Sequence, residues 1–223
     1  MARPLALAAL LALALLAPRS AGAEGPGAAT TSVATGLPAG AYRLDRAHAS
    51  LTFRVNHLGF SNYTARFTDF DASLTLDPAH PQTAEVTATV NPASLTLDNP
   101  PPGFEADLRG PAWLDAQAFP KITFQSRRVE MTGPNSARII GDFTLHGVTR
   151  PVVLEAVFNG GYAGHPMDPH ARIGFSAHGA LNRSEFGIAY GIPQPGSKMG
   201  VSDGVEVIIE AEFSGPDWKR PAG

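Results

Sequence analysis

Ile139-Ile140-Gly141-Asp142-Phe143-Thr144-Leu145-His146-Gly147-Val148-Thr149-Arg150-Pro151-Val152-Val153-Leu154 reads as strand, tight turn, strand. Before the reversal Ile139, Phe143 and Leu145 share a face with Gly141 between them. After it Val152, Leu154, Ala156 and Phe158 share a face. Alternation with a period of two sets one row of side chains against a core and the other against water. His146-Gly147 marks the turn, because glycine reaches the backbone angles a reversal needs. Pro151 has no N–H to give to a ladder, which assigns it to a strand start or an edge. On this reading Phe143 and Leu145 point inward, Asp142 and Thr144 point to water, and His146 serves only the turn.

The same grammar runs outward in both directions. Leu51, Phe53 and Val55 alternate with Thr52 and Arg54. Phe70, Ala72, Leu74 and Leu76 form the next set, and the opposite parity of Phe67 predicts a bulge near Thr68-Asp69. Ala84, Val86, Ala88 and Val90 follow, then Ile122 with Phe124, then Ile173, Phe175 and Ala177. Val205, Val207, Ile209, Ala211 and Phe213 make the clearest strand, alternating with Glu206, Glu210 and Glu212. Turn signals stand at Asp77-Pro78, Gly133-Pro134-Asn135, Gly160-Gly161 and Gly215-Pro216. About eight short strands with frequent turns predict an all-β sandwich or barrel. One stretch departs from the pattern: Phe104 to Ala118 carries Leu108, Trp113 and Leu114 at helical spacings, with Phe119 just after it. It lies between Pro100-Pro101-Pro102 and Pro120. This reads as a short helical connection, a form suited to a lid at a barrel mouth.

The termini read differently. Met1-Ala2-Arg3 is charged, Leu5 to Ala17 is an unbroken run of Leu and Ala, and Ala21-Gly22-Ala23 offers small residues for cleavage. These are the parts of a secretory signal peptide over residues 1–23, and the apolar run is too short to span a bilayer as a helix. No stable membrane anchor is expected after cleavage. Residues 24–40, rich in Gly, Ala, Thr, Ser and Pro, read as a flexible lead-in. Residues 41–214 read as one β domain, and 215–223 as a tail. The formal net charge is −3, and it becomes more negative when Arg3 and Arg19 leave with the signal. Without a basic cluster, nucleic acid is not expected as a partner. The chain has no Cys, so disulfides, thiol chemistry and Cys-ligated metals are excluded. The expected destination is the periplasm, with an extracellular one left open.

Catalytic motifs find little support. Gly200-Val201-Ser202-Asp203-Gly204 matches G-x-S-x-G in letters, but a nucleophile elbow needs a strand before and a helix after, and here a strand follows. Among seven His, none has the spacing that sets two metal ligands on one helical face. His165 and His170 fall in a loop, and His48 and His57 read as structural residues. No catalytic residue, metal or cofactor is assigned.

Several stretches together resemble the YceI-like family of exported lipid-binding proteins. Tyr42-Arg43-Leu44-Asp45 with Ala47 to Phe60 is similar to its opening, and Phe67-Thr68-Asp69-Phe70-Asp71-Ala72 to its F-x-x-F-x-G, with Ala72 for the last Gly. Asp107-Leu108-Arg109, Trp113-Leu114-Asp115-Ala116 and Phe119 to Ser126 resemble its middle block. The hairpin quoted above resembles its G-x-L-T-x-H-G-V-T-x-P-V-x-L block. Arg183-Ser184-Glu185-Phe186-Gly187 and Val201-Ser202-Asp203-Gly204-Val205 resemble two late blocks. The resemblance spans about residues 42–213. Two departures stand out: Asp107 occupies a place the family usually gives to His, and Pro100-Pro101-Pro102 replaces a polar stretch.

The resemblance implies a lipocalin-like antiparallel barrel of about eight strands with a bound isoprenoid, quinone-like or similar amphiphilic lipid in an apolar lumen. The partner expected is therefore a hydrophobic or amphiphilic small molecule. Candidate lining residues are Leu51, Phe53, Val55, Ile122 and Phe124 from the first half, with Phe143, Leu145, Leu154, Phe175, Val207 and Ile209 from the second. Trp113 and Phe119 are candidates to cover the entrance, and Arg183 and Tyr190 to meet a head group. Small residues at Ala84, Ala88, Gly141, Ala156, Gly174 and Ala177 leave room inside, although periodicity does not separate a hollow barrel from a filled one. Two other readings stay open at this point. One is a periplasmic interaction module with a filled barrel. The other is a His- or metal-dependent hydrolase using His48, His57 or His146. Oligomeric state is open as well, and a homodimer in which two barrels share one mouth surface is compatible with the chain.

Overall fold

The computed structural model describes residues 36–218; the expected signal peptide, most of the lead-in and residues 219–223 lie outside them. Ten strands follow in order: β1 (Gly40–His57), β2 (Ser61–Phe67), β3 (Phe70–Leu76), β4 (Glu85–Val90), β5 (Leu95–Leu97), β6 (Ile122–Gly133), β7 (Ser136–Leu145), β8 (Val148–Tyr162), β9 (His170–Asn182) and β10 (Val201–Asp217). One helix, α1 (Phe104–Arg109), stands between β5 and β6. The sheet order β10-β9-β8-β7-β6-β4-β3-β1 is closed by antiparallel pairing of β1 with β10. The fold is a closed antiparallel barrel. β2 continues β3 and β5 continues β4, so the ten strands form eight staves.

β1 holds this closure. One edge pairs with β10 from Arg43↔Ser214 to His57↔Val201. The other pairs first with β3 and then with β2. Its register on β10 shifts between Leu44 and Ala49. At the same height the second stave kinks at Thr68-Asp69 and the third at Asn91–Ser94, so three neighbouring irregularities form a belt. The belt is stitched across: Ser94 O accepts from Thr68 N at 3.2 Å, Asp69 O accepts from Asn91 N at 2.9 Å, and Arg46 pairs with Asp69 at 2.5 Å. The bulge expected near Thr68-Asp69 is one part of this belt.

The quoted hairpin is β7–β8. Leu145 pairs with Val148 across a two-residue turn in which His146 (φ 51°) and Gly147 (φ 73°) are both left-handed. Positive φ at both central residues matches the right-handed twist of the flanking strands. Asp142 and Thr144 face outward, onto Arg127 and Thr149. Pro151 precedes Leu154, the first β8 residue paired with β9, so its missing N–H falls on an unpaired edge.

Two expected turns are bulges inside strands instead. Gly160 marks a register shift within β8, and Gly215-Pro216 lies in a shift between Ser214 and Asp217 of β10. Gly215 is needed for close approach, since the ring of the fully buried Tyr42 occupies the place of a Cβ. β10 therefore runs past residue 214, where the domain was expected to end. The lead-in is also anchored before residue 40, because Tyr42 donates its hydroxyl to Pro38 O at 2.6 Å. Gly174 belongs to the outer face, paired with exposed Glu212, and leaves no room inside.

Near the N-terminal end of β1, Arg172 on β9 bridges Asp45 at 2.5 Å and Asp168 at 2.8 Å. The Tyr162 hydroxyl, 2.6 Å away, and Arg172 hold the Asp168 carboxyl down at about 2. His48 and Arg172 lower Asp45 as well. Both carboxyls sit below the ordinary Asp value of 3.8, so their contribution is complete above it and is lost as pH falls toward about 2. Thermal unfolding followed from about pH 5 to about pH 2 should show that loss, and Asp168→Asn should flatten part of it.

Gly141 supplies a second test. A Cβ there would meet the Phe124 ring and stand 2.6 Å from Gln125 O, whereas one at Gly174 would find only Glu212 Cγ at 4.0 Å. Gly141→Ala is expected to cost ~1–3 kcal/mol. Gly174→Ala should be neutral or stabilise by up to ~1 kcal/mol, and urea denaturation of both would decide.

Candidate ligand-binding lumen

The inward rows of the eight staves do not meet at the barrel axis. They enclose two apolar cavities. One, of about 290 Å³, reaches the end where Pro78, Pro81 and Pro134 form the rim. The other, of about 500 Å³, reaches the end covered by α1 and its flanking loops. Leu51, Val90, Phe143, Leu181 and Val207 line both, so the two chambers abut at a common waist. The waist lies near the belt of kinks, since Val90 immediately precedes Asn91 and Leu51 follows the β1 irregularity.

The structure places each of the eleven candidate lining residues in a chamber wall. Phe124, Leu154, Phe175 and Ile209 face the proline-end chamber. Phe53, Val55, Ile122 and Leu145 face the helix-end chamber, while Leu51, Phe143 and Val207 face both. Sequence reading missed Tyr63, Leu95 and Leu97 because it did not recognise β2 and β5. The alternation Tyr63-Ala65-Phe67 was the available signal. It also missed Asp98, Asn99 and Pro101, loop residues whose side chains reach the chamber without any periodicity to announce them.

The entrance candidates divide. Trp113 lines the helix-end chamber, and Tyr190 packs against its outer side at 5.4 Å. Tyr190 is otherwise exposed and outside the chamber wall. Phe119 is not an entrance residue: its ring lies 4.5 Å from that of His146 and occupies the space a Cβ on Gly147 would need, so it wedges the β7–β8 turn. His146 does more than turn the chain, because its Nδ1 lies 3.2 Å from Phe186 O and ties the turn to the loop after β9.

Arg183 is 5% exposed, and four backbone carbonyls accept from it: Ser202 O and Val201 O on one side, Ile188 O and Tyr190 O on the other, all within 3.0 Å. Its guanidinium also lies 5.1 Å from the centre of the Trp113 ring. Burial lowers its pKa, opposed by the charge of Asp203. Arg183 borders the chamber, yet most of its hydrogen-bonding capacity holds the β9–β10 loop together rather than waiting for a head group.

The polar groups near the helix-end chamber are His57, Tyr63, Asp98, Asn99 and Arg183. The proline-end chamber offers only Asn135 and Ser136. His48, His57 and His146 do not converge. His48 is held by Asp45 at 3.0 Å outside both chambers, His57 sits on the helix-end rim, and His146 is on an outer turn. Asp45, His48 and Glu212 bring ligand atoms within 4.8 Å of one another, but Asp45 is already committed to Arg172.

The YceI-like domain model matches residues 42–213, the span of the barrel and its connection. The chain belongs to the YceI-like family. A UPF0312 protein of Pseudomonas putida (strain W619) is 36% identical over 153 residues, covering 66% of this chain and 76% of that one. A UPF0312 protein of Vibrio cholerae is 34% identical over 187 residues, covering 83% and 93%. Among solved structures, a YceI protein of Campylobacter jejuni superposes with a TM-score of 0.60 at 27% identity, over 74% of this chain and 90% of that one. A polyisoprenoid binding domain from Saccharophagus degradans shares the fold at a TM-score of 0.55 and 12% identity, over 78% and 98%.

The blocks that carry the YceI-like signature have structural work to do. The two late blocks interlock: Arg183 grips Val201 and Ser202, and Ser184 donates through N and Oγ to Asp203 at 2.8 and 2.7 Å. In the middle block Arg109 pairs with Glu105 at 3.1 Å and also reaches Leu95 O, while Glu105 accepts from Leu97 N at 2.9 Å. This pins α1 to β5. Asp107, the departure from the family pattern, is exposed and outside the chamber wall, whereas Pro101 from the proline run lines it.

Arg183→Met would leave four carbonyls without their donor, a loss expected to cost ~1–3 kcal/mol for each carbonyl that water does not reach. Arg183→Lys, with three donors and no planar fork, should recover only part of it. Thermal unfolding of the two variants checks both, and an unchanged Arg183→Met would refute the structural role.

Proposed function

We propose that this protein is an exported, non-catalytic carrier that holds a long isoprenoid, quinone-like or similar amphiphilic lipid in its barrel, in the periplasm. The observation that carries this reading is the pair of abutting apolar chambers. Both are lined almost wholly by apolar side chains, they share five wall residues, and polar groups gather chiefly at the helix-end rim. Family membership supports it, as does the shared fold of a domain named for polyisoprenoid binding.

The chain enters tail-first through the helix-end mouth and passes the waist into the proline-end chamber. Each buried CH₂ contributes ~0.8 kcal/mol, from which the cost of immobilising ligand and side chains is subtracted. The head group stays near His57, Tyr63, Asp98 and Asn99. Hollow chambers weigh against a filled-barrel interaction module, and the separation of His48, His57 and His146 weighs against a hydrolase built on them.

Native mass spectrometry of protein purified from an exporting host should show a lipid adduct, either on arrival or after incubation with an isoprenoid quinone. Protein that arrives empty and stays empty would sink the reading. Val207 stands at the waist, and Val207→Trp is expected to weaken binding of a long isoprenoid by about tenfold or more, the cost of overpacking. Lipids short enough for the helix-end chamber alone should still bind. Equal affinity of variant and parent for the long chain would show that the ligand does not cross the waist.

A further inference from the structure

The helix-end mouth carries an apolar collar that the lumen itself does not account for. Phe60 is 81% exposed at the tip of the β1–β2 turn, and Met199 is 73% exposed just before β10. Tyr190 and Phe104 add two more exposed rings from the β9–β10 loop and the start of α1. These residues are far apart in sequence but sit on loops bonded to one another. Leu58 N donates to Gly200 O at 2.9 Å, Val201 N donates to Gly191 O at 2.8 Å, and Tyr190 packs on Trp113.

The collar adjoins the lumen. Phe104 and Tyr63 each line the helix-end chamber and are also partly exposed, so apolar side chains of the chamber wall reach the rim. A lipid leaving such a mouth meets apolar side chains before it meets water. Single exposed apolar residues are ordinary, but several gathered around one mouth mark an interaction surface.

We infer that the mouth docks reversibly on a lipid bilayer, with Phe60 and Met199 inserted into the interface, so that the ligand passes between membrane and lumen without crossing water. The inference rests on the lipid-carrier reading. The formal net charge is negative with or without the expected signal peptide and offers no general attraction to anionic lipid, so insertion of apolar side chains must supply the affinity. No helix among the described residues is long and apolar enough to cross a membrane. Met167 is an internal control: it is 92% exposed, but at the other end of the barrel, beside Asp168 and Pro169, and it lines neither chamber.

The test is flotation of the purified protein with phosphatidylcholine vesicles, with and without a minority of phosphatidylglycerol, at low and high salt. It is paired with the rate at which a fluorescent isoprenoid quinone moves from vesicle to protein. The parent should float with both vesicle types and depend little on salt. The double variant Phe60→Ser, Met199→Ser should float and extract lipid about tenfold less well, while Met167→Ser behaves as the parent. Neither variant alters a chamber wall, so the quinone affinity measured in detergent should stay unchanged. A parent that holds quinone but does not float, or a double variant that floats and extracts equally, overturns the inference. So does self-association through the collar that the double variant abolishes without any vesicle binding. An empty lumen in a protein that still floats would overturn the carrier reading and leave the docking surface standing.

Discussion

Pairing of β1 with β10 is the constraint from which the remaining structure follows. Without it the sheet would end in two long edges, each a row of unsatisfied N–H and C=O groups. With it the number of staves is fixed at eight, and stave number sets the width of the interior. An eight-stave barrel can be filled by side chains or can hold one ligand, and the inward residues choose between these outcomes. Here small residues such as Ala72, Ala84, Ala88, Ala156 and Ala177 face inward beside Leu, Val and Phe, and the axis stays open. Closure also explains why Tyr42 and Gly215 matter. They sit opposite one another near the start of the β1–β10 seam, and the ring lies where a Cβ would be.

The belt of kinks deals with a problem that closure creates. Three adjacent staves break register at one height, at Asp45–His48, Thr68-Asp69 and Asn91–Ser94, and bond to one another there. Bulges bend strands and raise their twist, and aligned bulges let the wall turn as a unit instead of tearing the ladder. β1 consequently gives its second edge to β3 below the belt and to β2 above it. The chamber above the belt is the larger one and carries most of the polar rim.

Much of this was legible from period-two patterns. Leu51-Phe53-Val55 and Val207-Ile209 place their side chains inside because a strand in a closed barrel has only two faces. Parity at Phe67 was enough to place a bulge. What periodicity could not show falls into two kinds. Gly160-Gly161 and Gly215-Pro216 look like turns in any sequence, yet a glycine also serves where a ring or a backbone must come close, and only the partner across the sheet tells the two apart. Asp98, Asn99 and Pro101 reach the lumen from a loop, where no repeat exists to read. The same limit misplaced Phe119, whose neighbour His146 is distant in sequence but 4.5 Å away in space.

Arg183 shows why a charged residue at the mouth of an apolar chamber need not be a ligand contact. An arginine that is 5% exposed beside an apolar chamber invites the reading of a head-group clamp. Its geometry answers differently. Four N–H groups point at carbonyls from both sides of the β9–β10 loop, and such carbonyls, if unpaired next to hydrocarbon, would each carry a desolvation cost. The cation lets a long irregular loop form part of the mouth without exposing bare backbone to the apolar chamber. The loop can then carry Tyr190 and Met199 outward while its inner side stays satisfied. Stability at the rim and apolar exposure beyond it thus have one source, the carbonyl cage around Arg183.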